Sequence, residues 1–505
     1  MGNVTKSQQN NITSPNGNSL AVFVEGTSGV MKVKDVMGNI QPLSDFITPS
    51  SGSSPFEYNA NANGIQPILG TNDASGNYST VGGGQNNTAS GYRSTIGGGA
   101  KITACGQGST VGGGGSNIAS NRYVTIGGGA KNLASNNYAT VGGGYSNTAS
   151  NYYATVGGGN KNTASGSCST IGGGSDNCAF GTGSTIAGGR NTTACGEGST
   201  IGGGKYNTAN GCYSFIGGGK TNIVNGHYST IGGGKSNKSS GYVSTVGGGK
   251  YNCGYGCHSF IGGGCGNYTV STSPYGTIGG GRDNLTSDNY ATIGGGQKSI
   301  ASGYSSTISG GCQNTASGSC STIGGGTLNT ASGSFSTIGG GYSNNASADS
   351  STVSGGCSNN AICGFSTVGG GKFNIASNNY AIVGGGRFNT ASGIYSTIGN
   401  GRGNIASGYR SIISGGYYNT ASSGGSIIVS GYCNIASGSY SAILGGKYNS
   451  TYPYNFAMII GAYISANRSN ATFVNNLSIM NIPTSSAGLP VGSVWRNGTV
   501  LEIIP

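Results

Sequence analysis

Two histidines, a few carboxylates, thirteen cysteines and a run of evenly spaced basic residues are the side chains with which this sequence could do chemistry. His227 and His258 fall beside or within a recurring aromatic position, and the carboxylates Asp176, Glu197, Asp283 and Asp288 recur at no fixed spacing. Acid–base and nucleophilic catalysis need a base within hydrogen-bond reach of its partner. No such pair can be nominated, so the sequence predicts no catalytic residue and no enzyme. An odd number of cysteines without a C-x-x-C pair argues against zinc and against a disulfide framework. They read as free thiols from a reducing compartment. The many G-G-G strings lack the following helix that a phosphate loop requires, and the glycine turns lack the recurring Asp of calcium-binding rolls. No cofactor and no metal are expected.

The basic residues Arg190, Lys205, Lys220, Lys235 and Lys250 follow one another at a constant interval of fifteen positions, and Lys372, Arg387 and Arg402 repeat the spacing later. Like charges stacked about 5 Å apart repel, so an anionic glycan is one conceivable ligand. The plainer role, and the one the sequence favours, is to keep a weakly charged surface soluble and to discourage edge pairing. Tyr123, Tyr138, Tyr153, Tyr213 and Tyr228 form a second column, which could stack on sugar rings but reads first as a stabilising aromatic ladder. The net charge of +12 is spread thinly over 505 residues, which gives mild polyanion affinity at best. No nucleic-acid partner is expected.

These residues are spaced so evenly because almost the whole chain is one repeat. The aliphatic before the glycines recurs at every fifteenth position, at Val81, Ile96, Val111, Ile126, Val141, Val156, Ile171, Ile186, Ile201 and on to Ile261. After a two-residue slip it resumes at Ile278 and holds to Ile443, and a one-residue slip precedes Ile459. The consensus is Y-S-T-I-G-G-G-x-x-N-T-A-S-G-x. Asn stands six residues after the aliphatic, as at Asn87, Asn117 and Asn132, and a small apolar residue eight after it, as at Ala89, Ala104 and Ala119. One such unit is too short to bury its own apolar positions, so copies must stack.

Alternation in Y-S-T-I-G is that of a strand with Ser and Ile inward and Tyr and Thr outward. T-A-S supplies a second short strand with Ala inward, and G-G-x-x-N and S-G-x supply turns, where Gly and Asn tolerate positive φ. Each unit is therefore predicted to be one coil of two strands and two turns, and the fold an all-β parallel β-solenoid, a β-roll of about 26 coils. At a strand spacing of about 4.8 Å the rod would be roughly 120 Å long. Between Val81 and Ile459 proline occurs only as Pro274 and Pro453, inside the slipped stretches Cys265–Tyr275 and Tyr448–Tyr454. Both read as bulging loops, because proline cannot donate to a ladder. One Ile and one Ala per coil make a thin core, so a face of each roll is expected to pack on partner subunits through the small Thr and Gly positions.

Residues 1–64 lack the repeat and read as an N-terminal β module for attachment or capping. Its runs SLAVFVEG and VMKVKDV form a predicted hairpin around Thr27-Ser28-Gly29. Residues 65–461 are the repeat shaft, and residues 462–505 a C-terminal cap. In this cap LSIMNIP reads as a strand, SVWRNGTVLEII as a hairpin turning at Asn497-Gly498, and Trp495 is expected to pack inside it. Terminal modules are expected because a solenoid end exposes a bare sheet edge.

The columns S-T-I-G and N-T-A-S-G resemble the head repeats of the YadA-like trimeric adhesins over roughly residues 66–462, although the unit here is one residue longer than that family's usual one. The resemblance implies a left-handed β-roll and a homotrimer. The export signal, coiled-coil stalk and membrane anchor of those adhesins have no counterpart in the sequence. GTSGVMKVKDVMGNIQPLSDF and PTSSAGLPVGSVWRNGTVLEII look instead like short segments of structural and fibre proteins of tailed bacteriophages and other large DNA viruses.

MGNVTKSQQNNITSPNGNS has no apolar signal region, and no apolar run is long enough to span a membrane. The expectation is therefore a structural tail or capsid fibre or spike of a virion, assembled in the host cytoplasm, joined to other virion proteins by a terminal module and touching host-surface glycans. A cell-surface trimeric adhesin is the alternative. An ice-binding solenoid, suggested by the array Thr80, Thr95, Thr110, Thr125 and Thr140, ranks below it because the companion column is Tyr rather than a second Thr.

Overall fold

A short repeat with inward Ile and Ala can hide them only against its own copies, and the structure does this throughout. The computed structural model describes residues 10–13, 19–25, 30–34, 40–42, 56–59, 64–67, 71–476, 482–497 and 500–504. All regular elements among them are strands, and the repeats form a parallel β-solenoid of about 27 turns. The chain divides into two compact units, Met1–Gly266 and Asn267–Pro505.

In the first unit the strands Asn10–Thr13, Ser19–Glu25, Val30–Lys34 and Ile40–Pro42 form an antiparallel sheet in sequence order. Glu25 pairs with Val30, so the expected hairpin is present; its connection Thr27-Ser28-Gly29 lies outside the described residues. Phe56–Asn59 pairs antiparallel with Gly64–Pro67. Ile65 then pairs parallel with Thr80 and opens the stack. From there each coil lies on the last in register: Thr95 on Thr110, Ile96 on Val111, Thr103 on Ile118, Ala104 on Ala119.

The second unit is stacked in the same manner and stays in register across both insertions. Tyr268 pairs with Leu285 and Thr269 with Thr286, an interval two longer than the repeat. Ala442 pairs with Met458 and Ile443 with Ile459, an interval one longer. The extra residues therefore bulge out beside the Pro-containing turns and leave the ladders intact. One more strand, Thr472–Val474, lies parallel on Met458–Ile460, so coil stacking extends past residue 462. In the C-terminal hairpin Val494–Asn497 pairs with Val500–Ile503, with Asn497 opposite Val500. Asn497 is thus a strand residue, whereas Gly498, the other residue of the predicted turn, lies outside the described residues. The strand expected at LSIMN and the side chain of Trp495 lie outside the described residues.

Three expectations about the coil need correction. First, a third ladder joins the two strand ladders: the residue four after the aliphatic bridges its equivalent in the next coil, as Gln85 to Ala100 and Ala100 to Gly115. Stacking identical turns lets their backbone N–H and C=O groups pair as strands do. Second, positive φ does not fall on the Asn column. It falls on the residue before it (Asn86, 56°; Lys101, 58°), on the third glycine and on the aromatic column. Third, the interior holds four side chains per coil, since Asn joins the expected Ser, Ile and Ala. Ser94, Ile96, Asn117 and Ala119 are all fully buried, and so are nearly all their counterparts along the roll.

Candidate surface sites along the coils

The inner columns face the closed interior. Val81, Ile96, Val111, Ile126, Val141, Val156, Ile171, Ile201, Ala89, Ala104 and Ala119 are fully buried. The Asn column is committed to the backbone. Asn147 Nδ2 donates to Gly143 O and Gly159 O at 2.8 Å each, and its Oδ1 accepts from Asn162 N at 3.0 Å. The side chain thereby clasps its own turn to the next, and the backbone N of Asn147 donates to Asn132 Oδ1 of the coil before, so each Asn joins three coils. The spacing of the Asn column signals a turn ladder, but not the depth of burial.

The turn at the other end of the coil carries the aromatic column. Tyr138 stacks on Tyr123 at 5.5 Å and on Tyr153 at 4.8 Å between ring centroids, and Tyr213 on Tyr228 at 5.3 Å. Each of these tyrosines adopts φ between 52° and 59°, a region that bulky residues rarely enter. His258 occupies the same column with φ 54° and meets Tyr242 edge-on. His227 Nδ1 accepts a hydrogen bond from Cys212 N. Glu197 accepts from the Tyr213 hydroxyl at 2.8 Å and thereby raises the phenol pKa. Asp283 pairs with Arg282 at 3.2 Å, and Asp288 Oδ1 accepts from Asn289 N.

All thirteen cysteines are free and outward, exposed or half-buried. Desolvation raises the thiol pKa at Cys178, Cys195 and Cys253, which opposes the thiolate that reactivity needs. Among the described residues no three His, Cys, Asp or Glu side chains gather to hold a metal ion. No helix among them is long and apolar enough to cross a membrane.

Arg190, Lys205, Lys220, Lys235 and Lys250 all fall on the bridge ladder, in one unbroken series. Arg190, Lys220, Lys235 and Lys250 are exposed and Lys205 half-buried. Like charges one coil apart, about 4.8 Å along the stack, repel one another even in water, so the column mildly opposes stacking. Lys372, Arg387 and Arg402 form a second such series. Two further surface features are not evident in the sequence. A shallow open groove is lined by Gly416, Tyr417, Gly431, Tyr432, Gly446 and Lys447. In the same coils the outward positions flanking the buried aliphatic, Thr and Gly in most other coils, become Ile412, Ile427, Met458, Val429, Leu444 and Ile460, all exposed. The individual substitutions are visible in the sequence, but their convergence requires the register. No protein-family model matches the chain, and no curated protein matches it.

Proposed function

We propose that this chain is a non-enzymatic structural fibre or spike, a homotrimer carried by a virion and anchored there through a terminal module, with the YadA-like resemblance reflecting a shared left-handed roll. A β-solenoid is compatible with such a role. The observation that carries the reading is the in-register stacking within each unit. Five backbone hydrogen bonds of 2.8–3.1 Å link coil to coil around one circumference: Thr80 N to Ser94 O, Gly82 N to Ile96 O, Gln85 N to Gly99 O, Thr88 N to Ile102 O and Ser90 N to Ala104 O.

Support for subunit packing comes from the exposed row Ile412, Ile427, Val429, Leu444, Met458 and Ile460. Contiguous apolar surface of this kind is rare on a protein that acts alone, and a flat sheet face suits a second copy of the same chain. Contact with host-surface glycans, through the basic column, completes the reading. Electron microscopy and light scattering on the purified chain test it. Three chains per particle in a three-fold rod are expected, and a compact monomer overturns it.

A further inference from the structure

The two basic series differ in what surrounds them. In the second unit every member lies against a ring: Lys372 over Phe373 at 5.0 Å, Arg387 over Phe388 at 4.6 Å and Arg402 over Tyr418 at 5.9 Å. In the first unit Lys205 and Lys250 lie over Tyr206 and Tyr251, at 4.9 and 4.7 Å. Arg190, Lys220 and Lys235 are followed instead by Asn191, Thr221 and Ser236, and among the described residues they meet neither ring nor carboxylate. The one acidic residue between Arg190 and Lys250 in the sequence, Glu197, is held by Tyr213.

Edge protection does not account for the series. Each member is bridged on both sides, from Ser175 to Arg190 at one end to Lys250 to Cys265 at the other, so no open edge needs guarding. What remains is a straight row of five cations spanning roughly 19 Å, one per coil.

We propose that the row from Arg190 to Lys250 is a binding site for an extended, linear anionic polysaccharide, sulfated or carboxylated, lying along the coil axis. The inference rests on the surface-contact part of the reading above and names its ligand class and site. A straight row favours a straight polyanion. Duplex DNA presents a charge about every 1.7 Å of axis on strands that wind away from any line, so it would meet only a short arc. Single-stranded nucleic acid gains much of its affinity by stacking bases on free aromatic faces. Here the two rings beside the row, Tyr206 and Tyr251, already carry lysine heads. The amide and hydroxyls of Asn191, Thr221 and Ser236 suit sugar hydroxyls instead.

The test uses the full chain with fluorescent heparin fragments of graded length, measured across a salt series. Affinity should rise with fragment length until the row is spanned and should fall as salt increases. The double variant Lys220→Gln/Lys235→Gln should lose about tenfold or more. It should fold normally, because Gln85 and Gln297 occupy this column naturally, and an unchanged circular dichroism melt checks that. Lys372→Gln/Arg387→Gln, in the ring-covered series, should change affinity less than twofold. Equal losses from both doubles would mean diffuse attraction to a basic chain and overturn the site. Length-independent binding, or no binding, overturns it as well, while leaving the fibre reading to the microscopy. Equal competition by single-stranded DNA overturns the ligand class.

Discussion

The two turns of each coil have opposite rules. The Gly-Gly-Gly-x-x-Asn turn hardly varies: its inward position is Asn in nearly every coil, with Ile102, Thr192, Ser299 and Ile464 as the departures. The Ser-Gly-x-Tyr turn holds Tyr, Phe, Arg, Cys, Val, His, Ser or Gly in its aromatic column. Both register insertions, with Pro274 and Pro453, fall in this second turn. The difference lies in where the hydrogen bonds are. A buried Asn that joins three coils fixes the length and path of its turn, whereas the opposite turn closes through backbone and outward ring contacts and can lengthen without opening a ladder.

Breaking that asymmetry at Asn147 should have the largest effect. Asn147→Asp keeps the shape, and Oδ1 can still accept from Asn162 N. It turns the Nδ2 donor into an acceptor facing the carbonyls of Gly143 and Gly159. A buried, unpaired carboxylate in that place should cost more than about 3 kcal/mol at neutral pH. Burial raises the carboxyl pKa above its unfolded value of about 3.9. The charged-form penalty is then absent below that value and grows as pH rises through the higher folded pKa, so acid should partly rescue the variant. Circular dichroism melts at pH 4 and pH 8 measure this. A loss below about 1 kcal/mol, or one equal at both pH values, would refute the central place given to the Asn column.

An intermediate effect is expected in the variable turn. Tyr138 holds φ at 59° and is stacked on both sides. Aromatic pairs contribute about 0.5–1.5 kcal/mol each, while a left-handed non-glycine backbone costs roughly 1–2 kcal/mol. Tyr138→Ala loses the stacking and keeps the strain. Tyr138→Gly loses the stacking and relieves the strain, as Gly108, Gly183 and Gly198 do in their own coils. The Gly variant should therefore melt closer to the parent than the Ala variant. The reverse order would show that the rings, and not the backbone, set what this column accepts.

Much of this is legible in the sequence because a fixed period converts composition into geometry. The inward Ile and Ala, the outward Thr and the looping-out of both proline stretches follow from alternation and from ladder chemistry. Two things do not follow. The general tolerance of Asn predicts positive φ on its column, but the strain sits on Lys101, Tyr138 and similar residues, because the stacked backbone imposes it and side chains comply. Gly91 shows the converse: its φ is not positive, and a Cβ there would collide with Gly106 O, so close approach of coils, invisible in a single repeat, selects the residue. The basic column is legible as a column, but its place on a third ladder, and the ring cover that separates Lys372 from Lys220, depend on contacts between coils.

The smallest effect sharpens the comparison most finely, because it lies within one column of the variable turn. Ser184 and Ser441 are both buried beside the aliphatic. Ser441 Oγ donates to Gly438 O at 2.6 Å and meets Thr451 Oγ1 at 2.9 Å, whereas Ser184 Oγ has no partner. Removing an unpaired buried hydroxyl is neutral or stabilising, and removing a paired one costs about 1 kcal/mol. Ser184→Ala should therefore leave the melt unchanged or raise it slightly, in keeping with Ala139, Ala154 and Ala291, which fill the same column fully buried. Ser441→Ala should lower it, since Thr451, the residue at the head of the lengthened turn, then loses its hydroxyl contact. Local hydrogen exchange at the flanking coils resolves the two. Equal losses at both sites would mean that Ser184 is paired as Ser441 is, and that this turn, like the other, is closed from within.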